Sequence, residues 1–483
     1  MAPIWGKTEW CGQDNCIAVP WRGWNDAAMR IPKAAVLALL LSASVNAQIV
    51  AQPSAGTYRR AVAGGYKAAL YCSGLFNAGR TPAQIDADEL TGIYPEYEKI
   101  VSTLIAKVDR PRRSVAVTFD PALPPRYAVW RDGHGCMTLP IGSRAPADGG
   151  SAAPLDAMPP IAGADPRRWP QGDAGIALRP SAGLTKVVSA AFGDGYGVGA
   201  KTVGVVVLKD GRVVAERYGH GFGPFVSNRT WSVGKSIAGT LIGLADAAPL
   251  DARATVPQWT AGDPRRGITL DHLLRMASGL HSDSAGNRTD AIYFGGTTVD
   301  EQATSWPLEA LPGTRFRYAN NDILLAVYAT RQIIGEDRYR AWPGNLFGPL
   351  GMSHTVAETD WHGNYILSSQ VWSTARDLAR LGLFWSQDGI WAGKRLLPAG
   401  WMRIVTAPSG PQPASGPGYG ATMWLFGPKQ GLPQGSFAAQ GNRGQYVMVI
   451  PSRHLVIVRR GEDPGAARFD IARFAADVAG LTP

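Results

Sequence analysis

Two pairs of extended runs stand far apart in this chain with a helix-patterned stretch between them. Val203 to Leu208 and Arg212 to Arg217 are rich in β-branched residues and flank Asp210-Gly211, a dipeptide that favours the tight turn of a hairpin. Far downstream, Tyr446 to Ile450 and Leu455 to Arg459 read as two more strands, joined by Pro451 to His454. Residues 237–400 are mostly helical and loop-rich, with periodic stretches at Ile323 to Ile334 and Ala375 to Trp385, and Ala466 to Ala479 closes the chain as an amphipathic helix. Strands first and last with helices between predict an α+β fold of the α/β sandwich kind. One antiparallel sheet is built from both ends of residues 176–483, helices flank it, and a mainly helical subdomain is inserted.

The remainder divides by composition. Residues 48–145 form an N-terminal accessory region, with helical patterning at Tyr66 to Phe76 and Thr81 to Leu90 and short strands at Ser114 to Phe119 and Tyr127 to Arg131. Residues 146–175, rich in Ala, Pro, Gly and Asp, read as a linker or long surface loop. Residues 29–47 have the form of a secretory signal: a basic start at Met29 to Lys33, an apolar run from Ala34 to Leu41, and small residues ending at Ala47. That run is too short to span a bilayer, so no stable membrane anchor is expected. Residues 1–28 precede the basic start and read as a non-native extension, with translation beginning at Met29. Export, to the periplasm or beyond, is the expected destination.

Export bears on the cysteines. Past Ala47 only Cys72 and Cys136 remain. In an oxidising compartment two cysteines can pair, and two separate buried thiols are the alternative. The net charge of +10 is spread along the chain, which argues for a mildly basic surface and against a nucleic-acid stripe. The 7 histidines fall into no metal-ligand spacing, so no metal and no cofactor is expected.

The chemistry concentrates at Trp231-Ser232-Val233-Gly234-Lys235-Ser236, where an extended segment turns into a helix. Residues three apart share a helix face, so the Lys235 amine can reach the Ser232 hydroxyl and take its proton. The helix N-terminus favours a developing oxyanion. Gly234-Lys235-Ser236 imitates the end of a phosphate loop, but Arg229 stands where that loop needs glycine, which excludes the nucleotide reading. The plain alternative for Ser232 is a helix N-cap. Downstream, Tyr318 and Asn320 are two apart in an extended loop, so both side chains point to one side. Beside Lys235 the tyrosine is expected to have a lowered pKa and to carry a proton to the leaving group, and Asn320 to hold Lys235 and the substrate carbonyl. Gln440-Gly441-Asn442-Arg443 lies just before the strand at Tyr446. A glycine there lets a ligand approach the backbone, and the Asn442 N–H pairs with that of Ser232 as an oxyanion hole.

In these residues the chain resembles the penicillin-recognising serine hydrolases: class C β-lactamases, DD-peptidases, related esterases and 6-aminohexanoate-dimer hydrolases. Their motifs Ser-x-x-Lys and Tyr-x-Asn correspond to Ser232/Lys235 and Tyr318/Asn320. Accessory stretches at Asp271 to Leu280, Pro312 to Thr314, Gly348 to Met352 and Gly418 to Gly420 also fit, so the resemblance covers roughly residues 180–480. The third motif departs, reading Ala439-Gln440-Gly441 where the family has a lysine or histidine. That cation helps hold the carboxylate of penicillins and peptidoglycan stems, so its loss points to the esterase and amide-oligomer branch. Arg443 is the candidate replacement. In that branch a loop tyrosine faces the substrate, a place matched here by Tyr293. The segments around Cys72 and Cys136 also look like the N-terminal part of 6-aminohexanoate-dimer-hydrolase-like proteins. The resemblance therefore implies an exported serine hydrolase of linear amides or esters whose partner is a small molecule. A β-lactamase or DD-peptidase is the first alternative, and a catalytically silent binder of cell-wall fragments the second. The sequence leaves the oligomeric state open.

Overall fold

The computed structural model describes residues 55–144, 163–245, 249–281, 289–465 and 467–482. The expected extension at 1–28 and signal segment at 29–47 lie outside these residues, as does the first part of the 146–175 stretch. Residues 53–483 form one unit, so the accessory region packs into the same body as the rest.

The central sheet has seven antiparallel strands, and its order confirms that both ends of the region build it. Gly418–Tyr419, Trp424–Phe426, Ser436–Gly441, Gln445–Ile450 and Leu455–Gly461 run in sequence, followed by Thr202–Lys209 and Arg212–Tyr218 at the far edge. The join is the pairing of the last strand with the first, with Ile457 opposite Val207 and Leu455 opposite Lys209. Asp210 and Gly211, both left-handed at φ 49° and 74°, close the first hairpin.

Alternation along these strands creates two apolar faces. Val205, Val207, Met448, Ile450 and Ile457 face one side, where helices Ala182–Ala190 and Ile471–Leu481 cover them. Val206, Leu208, Val447, Val449, Val456 and Val458 face the other, against helices Val233–Leu244 and Ala375–Ser386. The helical residues between the strands include the long helix Asn320–Ile334. Antiparallel sheet, flanking helices and helical insertion make the fold α+β.

The accessory region is a four-stranded antiparallel sheet, in the order Ala106–Asp109, Ser114–Val117, Arg126–Arg131 and Gly135–Thr138, with helix Ala55–Phe76 against it. The disulfide between Cys72 and Cys136 ties that helix to the last of these strands. Arg126 anchors the region to the hydrolase body: buried, it donates to the carbonyls of Phe294 at 2.9 Å and Gly295 at 2.8 Å. Glu358 answers from the other side, accepting from Ser73 Oγ at 2.6 Å and the Cys136 N–H at 3.0 Å. The second part of the 146–175 stretch is also fastened down, since Arg380 donates to Pro170 and Gly172 carbonyls at 2.8 and 2.7 Å.

Candidate active site

Helix Val233–Leu244 starts directly after Ser232, and Ser232 makes no capping hydrogen bond with its side chain. That removes the plain N-cap reading. The turn into the helix is tight: Trp231 adopts φ +51°, a left-handed conformation that costs energy in a residue with a bulky side chain. Its ring is held by the Arg229 guanidinium, stacked 3.8 Å above it.

One turn along, Lys235 is 1% exposed. Its Nζ lies 2.9 Å from Ser232 Oγ, 2.5 Å from Asn320 Oδ1 and 2.9 Å from the Ser368 carbonyl oxygen. Burial, with the Arg229 charge second, lowers its pKa to about 7. A neutral amine has two N–H groups and one lone pair. Asn320 Oδ1 and the Ser368 carbonyl take the two N–H groups, which leaves the lone pair for the Ser232 hydroxyl. Asn320 is the first residue of helix Asn320–Ile334, and extended Ala319 before it keeps Tyr318 and Asn320 facing the same cleft.

Tyr318 lines the cleft with Ser232, and its ring lies 5.1 Å from Lys235 Nζ. The expected lowering of its pKa is not found. Burial pushes the phenol well above its ordinary value and outweighs the opposite pull of the neighbouring Ser232 hydroxyl. The amine is thus the group poised to accept a proton near neutrality, and the phenol is a group that keeps its own.

Two glycines permit close backbone packing. A Cβ on Gly234 would stand 2.7 Å from the Leu367 carbonyl oxygen, so only glycine lets the segment with Ser368 come up to Lys235. A Cβ on Gly441 would stand 2.4 Å from the Thr230 carbonyl and 3.1 Å from the Ser232 nitrogen. Strand Ser436–Gly441 therefore ends against the Ser232 amide, and Asn442 follows at the cleft.

The cleft encloses about 400 Å³ and is lined by Ser232, Tyr318, Asn320, Gln440, Gly441, Asn442 and Tyr293. Tyr293 reaches it from helix Asp290–Tyr293, its hydroxyl 2.7 Å from Ser368 Oγ. Arg443 does not line it. Left-handed at φ +57°, Arg443 turns its side chain under the strand, where Nε meets Glu462 Oε2 at 3.0 Å. It is a buried partner of a carboxylate and leaves the missing cation of the third motif unreplaced among the described lining residues. Sequence reasoning did not find Ile93, Tyr94, Trp231, Ser369 and Trp424, which also line the cleft. Trp231 comes there as the residue before Ser232; no local spacing marks the other four, because tertiary packing brings them there.

A seven-stranded antiparallel sheet with a Ser-Lys-Tyr cluster at the foot of a buried helix defines a serine hydrolase. The Beta-lactamase family model matches residues 190–479, and the chain belongs to that family. The 6-aminohexanoate-dimer hydrolase of Paenarthrobacter ureafaciens is 27% identical over 291 residues, covering 54% of this chain and 72% of that one. Among solved structures, one named as a 6-aminohexanoate-dimer hydrolase from Bacillus anthracis matches at a TM-score of 0.51 and 21% identity, covering 65% of this chain and 82% of that one. One named as a beta-lactamase from Bacteroides dorei DSM 17855 matches at a TM-score of 0.52 and 21% identity, covering 62% of this chain and 98% of that one. These two share its fold.

Proposed function

We propose that the protein is an exported hydrolase of linear amides or esters that works through an acyl-enzyme on Ser232. The observation that carries this reading is Lys235 Nζ held 2.9 Å from Ser232 Oγ, with its two other partners in place. Ser232 Oγ attacks the carbonyl carbon as its proton passes to Lys235. The oxyanion is received by the N–H groups of Ser232 and Asn442. The bond to the leaving group then breaks as Tyr318 gives that group a proton. Water attacks the acyl-enzyme and returns a proton to Tyr318, while Lys235 returns one to Ser232 as the ester bond breaks. Both groups end as they began.

Relation to the 6-aminohexanoate-dimer hydrolase favours amides and esters of open-chain acids. The absence of a charged side chain among the described lining residues supports the same side, against substrates recognised by a carboxylate. Export rests on the segment at 29–47 and agrees with the disulfide. The test is a side-by-side hydrolysis of a chromogenic cephalosporin, a short p-nitrophenyl ester and the linear 6-aminohexanoate dimer, with Ser232→Ala as blank. The ester or the dimer is expected to dominate; a dominant cephalosporin contradicts the substrate class.

A further inference from the structure

The aromatic rings around the cleft fall into two groups. Tyr318 packs with Trp424 at 5.5 Å and Tyr419 at 6.0 Å. Tyr94 packs with Trp231 at 6.4 Å, Tyr66 at 5.1 Å and Phe294 at 5.6 Å. In the proposed reaction the leaving group must reach the Tyr318 hydroxyl, which assigns it to the first group. The second group is left for the other side of the scissile bond.

We propose that Ile93 and Tyr94, which come from the accessory region, are specificity-determining residues that receive the hydrocarbon stretch of an acyl chain without a carboxylate. This rests on the acyl-enzyme reading above. Both residues line the cleft beside Trp231, and the described lining offers an acyl group rings and side-chain amides without a cation. A carboxylate in this place would lose water and touch no charged side chain of the lining, because the Arg229 guanidinium lies behind the Trp231 ring.

The wall they form is held from several sides. The Tyr94 ring packs on Trp231, which the buried Arg229 guanidinium backs at 3.8 Å while donating to Ser369 Oγ at 2.9 Å. Tyr94 immediately precedes helix Pro95–Val101. From that helix the Tyr97 hydroxyl reaches Asp290 Oδ2 at 3.2 Å, at the start of the short helix that carries Tyr293. The Gly92 N–H donates to Glu98 Oε2 at 3.1 Å and closes the preceding turn. A wall fixed in this way discriminates by shape, because a chain that does not fit finds little give.

The test measures kcat and KM of the full chain and of Ile93→Ala, Tyr94→Ala and Tyr94→Phe on p-nitrophenyl acetate, butyrate and hexanoate, and on mono-p-nitrophenyl glutarate. The wild type is expected to prefer hexanoate to glutarate. In Ile93→Ala and Tyr94→Ala the hexanoate-to-acetate ratio of kcat/KM should fall about tenfold, chiefly through KM. Tyr94→Phe, which keeps the ring, should retain most of the ratio. An unchanged ratio in folded Ile93→Ala and Tyr94→Ala, with all hydrolysis abolished in Ser232→Ala, overturns the wall and leaves the hydrolase reading standing. A wild-type preference for the glutarate ester overturns the wall as well. Hydrolysis that survives in Ser232→Ala overturns the acyl-enzyme reading, and the wall falls with it.

Discussion

Asn320 Oδ1 lies 2.5 Å from Lys235 Nζ, so the first residue of one helix fixes the amine at the start of another. With the Ser368 carbonyl as second acceptor, the arrangement suits an uncharged amine, and the Lys235 pKa of about 7 agrees. The sign of the pH dependence follows. Protonated Lys235 cannot accept the Ser232 proton, so kcat/KM should be low in acid, rise through about pH 7 and level off above it. Arg229 contributes to the lowering, so Arg229→Gln should move this rise to higher pH. A profile flat from pH 5 to 9, or one that Arg229→Gln moves to lower pH, contradicts the assignment.

Tyr318 should act as a proton donor. Its phenol is kept neutral by burial, so no decline in rate from its ionisation is expected in the physiological range. Tyr318→Phe should lower kcat by about 100-fold or more, with circular dichroism unchanged. Substrates with good leaving groups, such as p-nitrophenyl esters, should suffer less than amides, because they leave with less need of a proton. An equal loss on both classes would argue that the tyrosine only positions Ser232.

Glu358 predicts a stability effect with the opposite pH sense. Burial pushes its carboxyl up to about 7, against the pull of hydrogen bonds from Ser73, Cys136 and Asn77. A folded-state pKa above the unfolded one gives stability that is complete in acid and is lost as pH rises through the folded value. From the shift, roughly 3 kcal/mol is at stake between pH 4 and pH 8. Glu358→Gln should therefore flatten the fall in Tm between pH 5 and 8, as measured by scanning calorimetry. An unaltered slope would show that the carboxyl is not the titrating group.

The disulfide carries a separate prediction. Cys72 and Cys136 are 64 residues apart in sequence, and the loop they close holds both Ile93 and Tyr94. Cys72→Ala/Cys136→Ala should lose about 2–4 kcal/mol of stability in denaturant unfolding. Two free thiols in the unreduced wild type would contradict the pairing.

What could be read in the sequence was whatever depends on local spacing. That one sheet is built from both ends of residues 176–483 followed from β-branched runs at each end, and Ser232/Lys235 and Tyr318/Asn320 followed from fixed offsets that bring side chains to one face. Other features depend on packing between distant segments. Helix Ala55–Phe76 begins well before the patterning at Tyr66, and its Gly64 and Gly65 are where Arg126 and the Phe294 carbonyl come close. Arg443 sits next to Asn442 in the chain, yet a left-handed turn sends its side chain to Glu462. Burial, which no offset reveals, reversed the expected direction of the Tyr318 shift. Ile93 and Tyr94 enter the cleft from a region with its own sheet, and only the docking of that region through Arg126 and Glu358 puts them there.

The central claim is a covalent bond at Ser232, and trapping it is the most direct measurement. The wild type and Ser232→Ala would be treated with a fluorophosphonate probe and with p-nitrophenyl acetate at low pH, then digested and sequenced by tandem mass spectrometry. One label per chain, on the peptide containing Ser232, is the predicted result, with none in the variant. A label on another residue, or turnover that persists in Ser232→Ala, would contradict the mechanism.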